Sequence, residues 1–157
     1  MKFIGFSREE EAEKWARDKL GVKGNPEFFR AMSAVDDKGE FVCVAIFSNF
    51  TKRNIDMNFV AKDGYWSAPK ETVKMYNAIF TYVFKILEAV RATALVGDSN
   101  SSSKKFVNKL GFKHEGVMRC AYDNNEDLNI FGLLRDEYIN HALSLYTHLT
   151  LPTTPYV

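Results

Sequence analysis

The stretch Arg91–Gly97, RATALVG, is apolar after its first residue and sits between two helical patterns. A short continuous apolar run of this kind fits a strand buried on both faces. With a helix on either side, it cannot join its neighbours through a tight hairpin. Its connections are helical crossovers, which commit the chain to a mixed sheet.

The rest of the chain supplies partners for that strand. SREEEAEKWARDKLG reads as a helix, with Ser7 as N-cap and Glu10 completing a capping box. Acidic residues fill its first turn and Gly21 stands past its end. VKGNPEF breaks the pattern. FFRAMSAV, EFVCVAIFSNF and NIDMNFVA read as three strands, with DDKG and TKRN between them as turns of an antiparallel meander. SAPKETVKMYNAIFTYVFKILEAV carries a helical stripe of Val73, Tyr76, Phe80, Val83, Phe84 and Leu87, with Ser67 as N-cap. After Arg91–Gly97, NSSSKKFVNKLG reads as a helix capped by Asn100 and stopped by Gly111. FKHEGVMRCAY and DLNIFGLLR are expected strands joined by the turn DNNE. The order is helix, three strands, helix, strand, helix, two strands, which defines an α/β fold with one mixed, mostly antiparallel sheet flanked by helices.

At 157 residues the chain fits one domain, expected over residues 1–138. From Tyr138 onward the sequence has no Asp, Glu, Lys or Arg, and its end, YTHLTLPTTPYV, looks like translated adapter sequence. Residues 139–157 are therefore expected to be a non-native-looking or disordered tail, with a genuine extra strand or dimer arm as the alternative. The net charge of +1 gives no electrostatic case for nucleic acid or an anionic membrane surface. No window is apolar enough to span a bilayer, and MKFIGFSREEE turns acidic too early for a signal peptide. Cys43 and Cys120 lie in apolar strand-like runs and are expected to be buried, reduced thiols, so the chain reads as cytoplasmic. No Cys/His spacing suggests a metal site.

Asn100, Ser103, Gly111–Phe112 and Glu115–Gly116, in that order behind a strand–helix–strand, resemble the GCN5-related N-acetyltransferases. NIDMNFVA, Trp66, FTYVF, RATALV, KLGFKHEGVMR, Asp127 and FGLLRDE add to the likeness, which covers nearly all of residues 1–138. Within that superfamily the chain looks closest to small phage and proteobacterial members and is similar to the ribosomal-protein N-terminal acetyltransferases.

The resemblance implies acetyl-CoA as co-substrate, no metal, and an amine acceptor that is a small molecule or a protein amine. It implies a V-shaped gap where the strand at residues 54–62 splays from the one at 91–97. The pantetheine would pair with the backbone of Phe59, Val60 and Ala61, on toward Lys62. The pyrophosphate would lie at the helix start marked by Trp66, Ser67, Ala68, Lys70 and Thr72, where backbone N–H groups suit an anion. That loop departs from the family's glycine-rich pattern, with Gly64 alone and Lys62 or Lys70 as its cations. Asn100 would add an amide contact to the pantetheine. Ser103 would position the thiol or relay a proton to it. Phe106 stands where many members have a tyrosine that protonates the leaving thiolate. Lys104 and Lys105 are a solvated basic face or contacts for the CoA 3′-phosphate. Asp56 and Asn58 share one strand face, opposite Ile55, Met57 and Phe59, and Asp56 acting through water is the expected base. The alternative is a catalytically weak or inactive binding module of the same fold. The sequence does not decide between monomer and homodimer.

Overall fold

The structure is a computed structural model and describes residues 1–20, 29–62 and 69–140. The chain divides into two compact units, one to Leu95 and one from Val96.

In the first unit, β1 (Lys2–Gly5) is followed by α1 (Glu9–Leu20), β2 (Phe29–Val35), β3 (Phe41–Ser48) and β4 (Asn54–Ala61). Then come α2 (Pro69–Thr81), a π-helical turn at Tyr82–Ile86, and β5 (Arg91–Gly97), whose last two residues fall in the second unit. β1, β2, β3 and β4 pair antiparallel in sequence order, whereas β4 pairs parallel with β5. The sheet is therefore mixed, as expected, and α2 with its π turn is the crossover that a parallel pair requires.

The meander presents alternate residues to two faces. On one, Ala12 and Ala16 of α1 pack with Ala31, Val35, Phe41, Val44, Ile46 and Val60, while Trp15 and Leu20 close the margin. On the other, Tyr82 meets Phe47 edge-on at a centroid distance of 5.2 Å and Tyr76 meets Phe59 at 6.2 Å. Met75, Ile79 and Val83 are buried along the same helical segment.

In the second unit, α3 (Ser101–Lys109) precedes β6 (Lys113–Met118), a 3-10 turn at Asp123–Asn125 and β7 (Leu128–Leu134), and residues 135–140 are helical. β6 and β7 pair antiparallel with a register shift between His114 and Gly116. Asn124 and Asn125 both sit at a φ of 58° in the DNNE turn, a left-handed conformation that Asn tolerates.

Four features differ from the sequence reading. β1 is an added strand, too short to show a periodicity. α1 starts at Glu9 rather than just after Ser7, because Arg8 takes a φ of 58° and its carbonyl accepts the first helical bond from Ala12 N at 2.9 Å. Arg8 is held there by Glu11, by the Gly39 carbonyl at 2.7 Å and by the face of Phe41. The long second helix widens at Tyr82–Ile86, where Leu87 N donates to Tyr82 O. Finally, Cys43 is buried and free, but Cys120 is exposed, contrary to expectation. Strand β6 ends at Met118, so Cys120 lies in the following turn with a φ of 54°, its N–H donated to Asp127 Oδ1.

Ile79 is fully buried and Ile86 is 67% exposed. Ile79→Ala should therefore cost about 2–5 kcal/mol in urea unfolding, and Ile86→Ala no more than about 0.5 kcal/mol. Equal losses would contradict the assignment of the core-facing side of this crossover.

Candidate functional site

The β4–β5 pair is matched over Asn54–Met57 and Arg91–Ala94. The register stops there, four residues before β4 itself ends at Ala61. On the paired segment, polar side chains converge. Asp56 Oδ1 accepts from Asn54 Nδ2 at 3.0 Å and Oδ2 accepts from Asn49 Nδ2 at 2.9 Å. Asn54 Oδ1 accepts from Thr93 Oγ1 at 2.6 Å, and Thr93 Oγ1 accepts from Arg91 Nε at 2.9 Å. Asp56 and Asn58 are both half-buried and, two residues apart on a strand, share one face.

Asn100 caps α3 as expected, its Oδ1 accepting from Ser103 N at 3.0 Å. The cap occupies the amide oxygen, so the Nδ2 donors remain for another contact. Ser103 is half-buried in the first turn; its N–H belongs to the cap and its hydroxyl does not. Phe106, one turn further, is half-buried, and Val107 is buried.

A second polar chain braces this unit. Asp98 Oδ1 accepts from Lys104 Nζ at 2.7 Å and from Asn129 Nδ2 at 2.9 Å. Asn129 is buried, and its Oδ1 lies 2.9 Å from His114 Nε2. Ser99 N donates to Glu126 Oε1, and Tyr122 covers Gly97 so closely that a Cβ there would lie 3.2 Å from the ring. Lys104, first in line to hydrogen-bond Asp98, holds that carboxyl below its usual range, with Asn129 adding to the effect. The Ser99 backbone does the same for Glu126.

The sequence-derived site residues therefore fall in two groups, one in each unit. Asp56, Phe59, Val60 and Ala61 belong to the first unit, and Asn100, Ser103 and Phe106 to the second. Val60 points into the core beneath α1, and Phe59 packs on Tyr76, so any part they play in cofactor binding falls to their backbone. Trp66, Ser67 and Ala68 lie outside the described residues, as do the side chains of Lys70 and Thr72. Lys104 is engaged by Asp98 rather than presented as a simple basic face, whereas Lys105 is exposed. The sequence reading missed Asn49, Asn54 and Thr93 around Asp56. The signal available was polar residues at the mouths of two apolar strands. Among the described residues no group of three or more His, Cys, Asp or Glu is arranged to hold a metal, and no helix is long and apolar enough to cross a membrane.

Solved structures share this fold. A protein named as a "putative acetyltransferase" matches with a TM-score of 0.68 at 18% identity, over 94% of this chain and 80% of that one. The spermidine/spermine N-acetyltransferase SpeG from Vibrio cholerae, in complex with manganese ions, matches at 0.60 and 17% identity, over 85% and 78% of the two chains. A chimera of the Vibrio cholerae spermidine N-acetyltransferase SpeG and hSSAT matches at 0.60 and 16%, over 83% and 79%. Comparison with protein-family models and with curated proteins gave no match. The fold is thus one that N-acetyltransferases of known structure adopt.

The lowered Asp98 carboxyl has a consequence for acid stability. A carboxylate whose folded pKa lies below its unfolded value of 3.8 contributes stability above that pH, and the contribution is lost as pH falls through the folded value. Asp98→Asn should therefore lose less melting temperature than the parent chain when pH is taken from neutral to below 3.8. Equal losses would remove Asp98 from the acid transition.

Proposed function

We propose that the chain is an acetyl-CoA-dependent N-acetyltransferase that moves an acetyl group directly to an amine within a ternary complex. The observation that carries this reading is the β4–β5 register ending at Met57–Ala94 while β4 runs on to Ala61. A parallel pair that parts midway offers strand backbone to an extended ligand, and the pantetheine arm is an extended chain of amides. The shared fold supports the same reading.

The residues present fit the co-substrate. Backbone at Phe59–Ala61 would pair with the pantetheine amides. The resemblance separately gives Asn100 a pantetheine contact, and its Nδ2 group is not needed for the cap. Small residues before α2, Ser67 and Ala68, would let a pyrophosphate approach the helix start, with Lys70 and Thr72 following and Trp66 beside them. Bound acetyl-CoA supplies an activated acyl group as a thioester.

The chain's own groups then have two proton tasks. The amine must be neutral to attack. For a lysine-type amine, deprotonation at pH 7 costs roughly 4–5 kcal/mol, and for an α-amine about 1 kcal/mol. Asp56, through water, is the group that accepts this proton. The departing thiolate must gain one. Phe106 has no proton to give; Ser103, where the resembled N-terminal acetyltransferases carry a serine near the thiol, would position the sulfur and pass to it the proton that the newly acetylated nitrogen releases. A serine is a poor acid, which limits the rate of this step.

Phe106 also favours a second reading, a catalytically weak or inactive acetyl-CoA-binding module of the same fold. Two measurements separate the readings. Acetyl-CoA above its dissociation constant should raise the melting temperature, and no shift at millimolar acetyl-CoA would sink both. Release of free thiol with a panel of amines, spermidine, lysine and an α-amino peptide among them, should occur for the enzyme and fail for the module. Within the enzyme reading, Ser103→Ala should slow turnover about tenfold or more with little change in acetyl-CoA affinity. Unchanged turnover would refute the part given to Ser103.

A further inference from the structure

Asp56 is not held as a surface carboxylate usually is. Among the described residues it has no ion-pair partner; each of its oxygens instead receives one neutral side-chain amide. A carboxylate has about four acceptor sites, so two amides orient it without saturating it.

The orientation of these amides is forced from a distance. Arg91 Nε–H can only donate, so at the contact with Thr93 the threonine oxygen accepts, at 2.9 Å. Thr93 then has a single hydrogen, and it is directed to Asn54 Oδ1 at 2.6 Å. An amide whose oxygen faces Thr93 must turn its nitrogen the other way, and Asn54 Nδ2 meets Asp56 Oδ1 at 3.0 Å. Thr93 is buried, so water does not compete freely for this link. From the other side, Asn49 follows the end of β3 at a φ of 50°, a left-handed conformation that Asn adopts more readily than most residues, and this aims its Nδ2 at Asp56 Oδ2. The chain of donors crosses the parallel pair, with Asp56 opposite Thr93 and Asn54 opposite Arg91 in the register.

We propose that Asn49, Asn54 and Thr93 are positioning residues for Asp56: a directional relay from Arg91 through Thr93 and Asn54, with Asn49 as its counterpart, fixes the plane of the carboxylate for the acceptor amine's proton. This inference rests on the acetyltransferase reading, and it assigns the relay a role in turnover rather than in holding the two strands together.

The test is a double-mutant cycle on the full chain, following thiol release from acetyl-CoA with the fastest amine of the panel above. Thr93→Val keeps the shape and removes the donor to Asn54, while Thr93→Ser keeps the donor. We expect Thr93→Val to lower kcat about tenfold with little change in the KM for the amine. Thr93→Ser should stay near the parent rate. In an Asp56→Asn background the same Thr93→Val change should alter kcat less than about twofold, because the carboxylate it orients is gone. Asn49→Ala should follow the same pattern.

The outcomes are distinguishable. If Asp56→Asn leaves kcat unchanged, or if no amine of the panel is turned over, the reading of Asp56 fails and the inference with it. If Asp56→Asn is slow but Thr93→Val lowers kcat equally in both backgrounds, Asp56 keeps its role and the positioning relay alone is overturned. A Thr93→Val chain as fast as the parent overturns it too.

Discussion

The parallel pairing of β4 with β5 is the constraint on which the first unit turns. A parallel partner cannot be reached by a hairpin, so the chain must leave the sheet after Ala61 and return at Arg91. That requirement accounts for α2 and its π turn, and for the aromatic packing of Tyr76 and Tyr82 against β4 and β3. It also accounts for the polar relay, because only a parallel register sets Asp56 beside Thr93 and Asn54 beside Arg91. The register ends at Met57, and β4 continues beyond it to Ala61.

Much of this was legible in the sequence. The β4 and β5 patterns matched their observed bounds because each is a short apolar or alternating run enclosed by turn residues. The third helix was legible for a different reason. Asn100 and Gly111 are residues whose chemistry marks a helix start and a left-handed stop, and Gly111 has a φ of 93°. β1 was not legible, since four residues carry no period and the strand exists only by pairing with β2. Cys120 was misread because an apolar run was extended past the end of a strand whose side chains are mostly exposed.

The candidate site was legible in outline only. Asp56 and Asn100 stood out by residue type and strand or helix position. Their partners did not, because the relay joins residues far apart in the chain. Thr93 and Asn54 are 39 positions apart, and Asn49 reads in isolation as an ordinary turn residue. Hydrogen-bond direction is a property of the assembled register, and no local pattern carries it. The loop before α2 posed the opposite difficulty: its composition departs from the glycine-rich pattern expected there, so the roles proposed for its residues rest on likeness without a matching motif.

The π turn at Tyr82–Ile86 has a bearing on how such a chain tolerates change in length. Tyr82, Val83 and Phe84 are three consecutive buried residues. An α-helix advances by about 100° per residue, so a regular helix on a sheet rarely buries three in a row. The wider turn makes room for the extra residue. A regular α-helix could hold that residue only by rotating everything after it by about 100°. Removing one residue within the turn would let it rewind to α with the following residues kept near their phase. Removing one from the α-helical part, Pro69–Thr81, would instead swing the exit toward Arg91 away from its strand position. The π turn thus acts as slack in the crossover, the place where a change of one residue is taken up without moving the strand it delivers.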